Sequence, residues 1–186
     1  MALSRQYPPP LPLAQPWRRA IATSIDFLVI WLTSVVGITA GAAIQWGQIT
    51  VFAVVWWLLR VAMVNRNKGQ SPGHWLMNVR LLDGRDRTPD LLSLSKRELV
   101  IGSCALLALV GVESYGFNFA LIILLMPLAV DCSLAWIDEE HRTLHDRVGG
   151  TSVYRCRRGF YLDRKIIEIV TKLRKKCAII RDRLTG

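Results

Sequence analysis

The sequence lacks most of what a catalytic protein displays. It has three histidines, four cysteines and fourteen acidic residues against twenty-four Lys and Arg. No Cys-x-x-Cys pair, zinc-finger spacing or His-Glu-x-x-His stretch occurs, so a metal centre has no ligand set. There is no nucleophile–base arrangement, phosphate loop or dinucleotide glycine pattern either. We therefore expect no enzyme and no cofactor. His141 and His145 are four apart and share a helix face, but Asp146 alone does not complete a metal site. Cys104, Cys132, Cys156 and Cys177 read as free, reduced thiols.

Charge is missing from long stretches as well. Of the 186 residues 52% are apolar, and the mean hydropathy is +0.29, too apolar for a soluble domain this basic. The apolar residues gather in four blocks, at about 19–44, 49–64, 99–112 and 117–136. About 20 apolar residues at 1.5 Å rise cross a bilayer core. The third block is short, and Ser95-Lys96-Arg97-Glu98 predicts a capping box that starts its helix earlier. The expected fold is an all-α membrane protein with four transmembrane helices. Neither 41–48 nor 111–116 contains Lys or Arg. By the positive-inside rule both termini are cytoplasmic, in the cell (inner or plasma) membrane. Ala40-Gly41-Ala42 has the form of a cleavage site, but the internal Asp26 and the long span favour an anchor over a cleaved signal.

Three regions follow. Residues 1–16 are Pro-rich and predicted disordered. Residues 17–154 form the membrane domain, with Trp17 at the interface. Gly37 and Gly41 allow another helix to approach the first, within the chain before between chains. Trp56-Trp57 reads as packing or anchoring, and Arg60, ending the second span, as snorkelling to the headgroups. Ser71-Pro72 predicts the start of a short interfacial helix over 74–78. Val79-Arg80-Leu81-Leu82-Asp83-Gly84 reads as a strand and turn. With a second strand at 151–154 it makes a small cytoplasmic strand-and-loop layer. In the tail, 155–186, Leu162, Ile166, Ile169, Leu173, Cys177 and Ile180 recur three or four apart among Lys and Arg. This predicts a basic amphipathic helix on the inner membrane surface, with a coiled coil to a second copy as the alternative. The net charge of +10 then points to the lipid bilayer and its anionic headgroups as partners, and not to nucleic acid.

Two acids stand inside the apolar blocks, Asp26 and Asp131. A charge at the bilayer centre costs roughly 2.5–3.5 kcal/mol on insertion scales, so each needs a partner. Asp26 is seven residues from Arg19, and Asp131 lies roughly five from the inner end of the fourth block, so upright helices bring them to similar depth. Arg19 and Asp26 are on one face but about 10.5 Å apart along the axis, too far for a direct pair without a water. Glu113 reads as a solvated loop residue.

Arg19 with Asp26, Gly69-Gln70-Ser71-Pro72-Gly73 leading to Val79-Arg80-Leu81-Leu82-Asp83, and Arg142-Thr143-Leu144-His145-Asp146 leading to Gly150-Thr151-Ser152-Val153 together resemble the RDD family of membrane proteins. The resemblance runs from about Trp17 to Tyr154. It implies that Arg19, Asp26 and Asp146 are the arginine and two aspartates for which the family is named. It also implies transport of a proton or small monovalent cation, for which Asp26 would be the centre, with Arg142 in support and Asp131 added by its depth alone. A transporter of four spans implies a homo-oligomer. The alternative is a non-transporting scaffold or accessory protein whose Arg/Asp network is structural, with Asp146 clamping Arg19 near the inner surface. His74 stands where the family often has a basic residue, and Asp131 and the tail lie outside the family pattern.

Overall fold

The computed structural model describes residues 11–40, 45–115, 119–156, 165–168 and 171–172. Helix α1, Pro16–Ser34, starts with proline in the first turn, where no amide donor is needed, and ends in a tight turn at Val35–Gly37. Helix α2, Trp46–Arg66, returns beside it and widens into a π-helical turn at Leu58–Ala62. A short helix α3, Pro72–Leu76, is capped by Ser71, whose Oγ accepts the His74 amide at 3.2 Å. Strand β1, Val79–Asp83, leads into the long helix α4, Leu91–Tyr115. Helix α5, Phe119–Ile137, the short helix α6, Leu144–Gly149, and strand β2, Thr151–Arg155, complete the order.

Among the described residues two helices are long and apolar enough to cross a membrane, Pro16–Gly37 (including its terminal turn) and Trp46–Arg66; Ile122–Ile137 within α5 is a shorter apolar helix. Their faces meet in two apolar clusters. Ala22, Val61, Val64, Met77, Val79, Leu81, Leu94 and Val153 join α1, α2 and α4 to α3 and the strands. Ile30, Phe52, Trp56, Ile101, Ala105 and Leu109 join α1, α2 and α4 further along. Phe52 stacks on Trp56 at 5.6 Å and meets Phe27 edge-on at 5.9 Å. Such pairs add about 0.5–1.5 kcal/mol beyond their burial. Gly37 lies so close to α2 that a Cβ there would sit 2.5 Å from the Gly47 carbonyl oxygen. The small residue thus serves packing within the chain; Gly41 lies outside the described residues.

The strands pair antiparallel, Val79 with Arg155 through Asp83 with Thr151. The segment expected to be disordered, 1–16, is ordered over 11–16. Leu13 bridges Tyr154, the Ala14 amide donates to Val153 at 2.9 Å, and the Arg155 amide donates to Pro12 at 2.8 Å. Proline removes donors but leaves carbonyls free to accept, so the segment can line the free edge of β2. Helix α4 starts at Leu91, a turn before the expected capping box. Asp90 Oδ1 accepts the Ser93 amide at 3.3 Å, which places Arg97 and Glu98 inside the helix. Of the predicted tail helix, Ile166 packs against the first cluster; Leu162, Ile169, Leu173, Cys177 and Ile180 lie outside the described residues.

Candidate functional site

Asp26 lies on the buried face of α1 with Ala22 and Ile30. Its Oδ2 accepts from Arg60 Nη1 at 2.8 Å and Ser71 Oγ at 2.5 Å, and its Oδ1 accepts from the Gly73 amide at 2.7 Å. A Cβ on Gly73 would stand 2.1 Å from the Ala22 carbonyl oxygen and 2.9 Å from Asp26 Oδ1. Only glycine lets the start of α3 approach α1 this closely.

Arg60 sits in the π-helical turn of α2, where Val61 beside it is buried too. Turns of this kind recur at functional sites because they shift a side chain out of helical phase. Arg60 does not snorkel. It is 1% exposed, lies over the Trp56 ring at 5.6 Å, and donates to Glu98 through Nε at 3.1 Å and Nη2 at 3.3 Å. Two carboxylates and a ring hold it inward more strongly than water at the helix end draws it out.

Glu98 passes the chain of charges to Arg97, which donates to its Oε1. Arg97 Nε donates to Asp146 Oδ1 at 3.1 Å. Asp146 also accepts from Arg19, and Arg19 donates to the His141 carbonyl. Asp146 closes a capping box with Thr143 that opens α6. Burial alone would raise the Asp146 carboxyl; Arg19, His145 and Arg97 outweigh burial and hold it far below the usual carboxylate range.

Arg19 and Asp146 therefore meet, while Asp26 is partnered by Arg60 and not by Arg19. Arg142 stays outside the network. Its guanidinium pairs at 2.6 Å with Glu140, with side chains 36% and 58% exposed, because α6 turns the chain so that Asp146 faces inward and Arg142 outward. Glu113 is exposed but not merely solvated: it accepts from Gln48 Nε2 at 3.3 Å and Trp31 Nε1 at 3.4 Å.

Asp131 does not touch Asp26. Its Oδ1 accepts the His145 amide at 3.0 Å, and its Oδ2 lies 2.5 Å from His145 Nδ1. Arg97 Nη2 lies 3.3 Å from His145 Nε2. Nε2 also faces Asp146 Oδ1 at 3.7 Å, so His145 stands between a guanidinium and two carboxylates. His74 is fixed by a hydroxyl. The Ser71 hydroxyl gives its hydrogen to Asp26, so His74 Nδ1, 2.6 Å from that oxygen, is the donor. Burial, then Arg60, Arg97 and Arg19, push His74 well below the usual histidine value. The two histidines weighed for metal point apart, His141 to the Ala135 carbonyl at 3.0 Å and His145 to Asp131. No group of three candidate ligands for a metal occurs among the described residues.

One hydrogen-bonded chain thus runs from Asp26 through Arg60, Glu98 and Arg97 to Asp146 and Arg19, with His145–Asp131 as a branch. The family model of the RDD family matches residues 13–150. The chain belongs to the RDD family. No match was found among curated proteins or among solved structures. Every member of the network in this RDD protein lies inside the matched stretch, and the two apolar helices agree with the membrane setting of the family. Sequence reasoning puts Arg60 at the headgroups and Arg97 and Glu98 in a helix cap, outside the site. Pro89-Asp90 followed by Ser93 is a helix-start signal that would have placed Arg97 and Glu98 inside α4.

Proposed function

We propose that this RDD protein crosses the membrane four times with both termini in the cytoplasm. In our reading it exchanges a proton or small monovalent cation at the buried polar layer, with Asp131 and His145, and not Asp26, as the exchanging groups. One observation carries this reading. Three network arginines, Arg19, Arg60 and Arg97, face four carboxylates, Asp26, Glu98, Asp131 and Asp146. The fourth, Asp131, has a histidine, His145, as its side-chain partner and no guanidinium. The groups facing His145 are Arg97 from α4, Asp131 from α5, and Thr143 and Asp146 around α6. A buried carboxylate without a permanent counter-charge is expensive, so a proton held with His145, or a cation in its place, relieves a real cost.

The scaffold reading has its own support at Asp26. All of that residue's strong partners are fixed protein groups, as in a structural clamp. Flux in proteoliposomes separates the two. We expect pH-coupled movement of a monovalent cation by the native protein, abolished in Asp131→Asn and retained, at lower yield of folded protein, in Asp26→Asn. If the native protein shows no such flux across a series of salts, the scaffold reading takes its place.

A further inference from the structure

A cavity of about 570 Å³ opens between α1, α4 and α5, within the range of small-ligand sites. It is polarised along the helices. At one end it is lined by Arg19, His74, Arg97, Thr143 and His145; away from that end its walls are apolar, with Phe27, Ala105, Ala108 and Leu128 among them. From Arg97 to Val112, both in the lining, α4 rises about 22 Å. That is more than half of a roughly 30 Å hydrocarbon core, and so suits one acyl chain.

The polar end is built to donate. No Asp or Glu is among the described residues that line the cavity; the carboxylates of the network lie behind the arginines. Arg19 commits two of its five N–H donors and Arg97 three. His74 is 1% exposed, and among the described residues its side chain hydrogen-bonds through Nδ1 to Ser71 alone, which leaves Nε2 as an open acceptor there. Spare guanidinium donors at the foot of an apolar slot match an oxyanion carried on a hydrocarbon chain.

We infer that this cavity holds an anionic amphiphile, its chain along α4 and its carboxylate or phosphate head against Arg19 and Arg97. The occupant differs from the transported ion of the preceding reading and does not depend on it. Trp56 and Trp136 also line the cavity and serve as reporters. The protein in discs of zwitterionic lipid is titrated with a fatty acid brominated in mid-chain. In parallel arms it is titrated with the matching brominated alcohol, a brominated phosphatidate, and a brominated phosphatidylcholine as the bulk-lipid control. We expect saturable tryptophan quenching by the acid or the phosphatidate at concentrations about tenfold below the alcohol. Saturation by the acid assigns a carboxylate head; saturation by the phosphatidate alone assigns a phosphate.

Ala108→Phe fills the slot, and Ser24→Phe blocks its exposed rim; in either variant that folds, the saturable quenching is lost. Equal quenching by acid and alcohol, quenching that tracks bulk lipid without saturation, or saturable quenching that survives both variants would overturn the inference.

Discussion

Asp26 and Asp131 present the same problem, a carboxylate buried in an apolar helix, and the protein answers it differently. At Asp26 a guanidinium, a hydroxyl and a backbone amide converge on the two oxygens. At Asp131 one imidazole ring and one amide do so. The first arrangement fixes a charge in place and ties α1, α2 and α3 together. The second holds a carboxylate whose side-chain partner carries charge only when protonated. In the proposed reading a buried acid is therefore not by itself an exchange site; what decides is whether a permanent charge already faces it.

The largest break in this comparison is Arg60→Met. It strands both Asp26 and Glu98, and removing one partner of a buried ion pair costs about 3–5 kcal/mol. We expect the folded protein in detergent to be lost or its unfolding midpoint to fall further than in any other variant here. Next comes the direct contrast. Asp26→Asn should cost about 3 kcal/mol by weakening the Arg60 clamp, and Asp131→Asn about 1 kcal/mol, the size of an ordinary hydrogen bond; denaturant titration of both variants checks the order.

Acid sharpens the comparison further. His74 is held below the usual histidine value, so under acid the unfolded chain takes up a proton that the folded one refuses. Stability falls with pH below about 6.5, by up to about 1.4 kcal/mol per pH unit, until the folded ring itself protonates. Asp146 is also shifted down, so its contribution is present above about pH 4 and is lost only as the pH falls towards its lower folded value. Loss of stability near pH 5 thus belongs to His74, and His74→Gln should flatten it. The smallest effect is expected at Arg142. Its pair with Glu140 is partly exposed, and Arg142→Ala should change stability by less than about 0.5 kcal/mol.

How far these features were legible varied with how local their cause is. The strands β1 and β2 follow from short apolar runs beside turn residues, and α3 from Ser71-Pro72. Arg19 and Asp146, 127 residues apart, are linked by their common level near the inner surface and by the family resemblance, not by any periodicity. Arg60 was misread since an arginine ending an apolar block snorkels by default; its inward course depends on Glu98, which sits on another helix. Arg97 and Glu98 were hidden inside an apparent capping box that Asp90 pre-empts one turn earlier. The His145–Asp131 pair spans a helix-to-helix turn whose path the sequence does not specify.

Proton release on cation addition tests the central claim most directly. Purified protein in neutral detergent, weakly buffered, is titrated with sodium and potassium salts while the pH is followed. We predict saturable release of about one proton per chain, absent from Asp131→Asn and preserved in Asp26→Asn. No release from the native protein, or release that survives in Asp131→Asn and disappears in Asp26→Asn, would contradict the account.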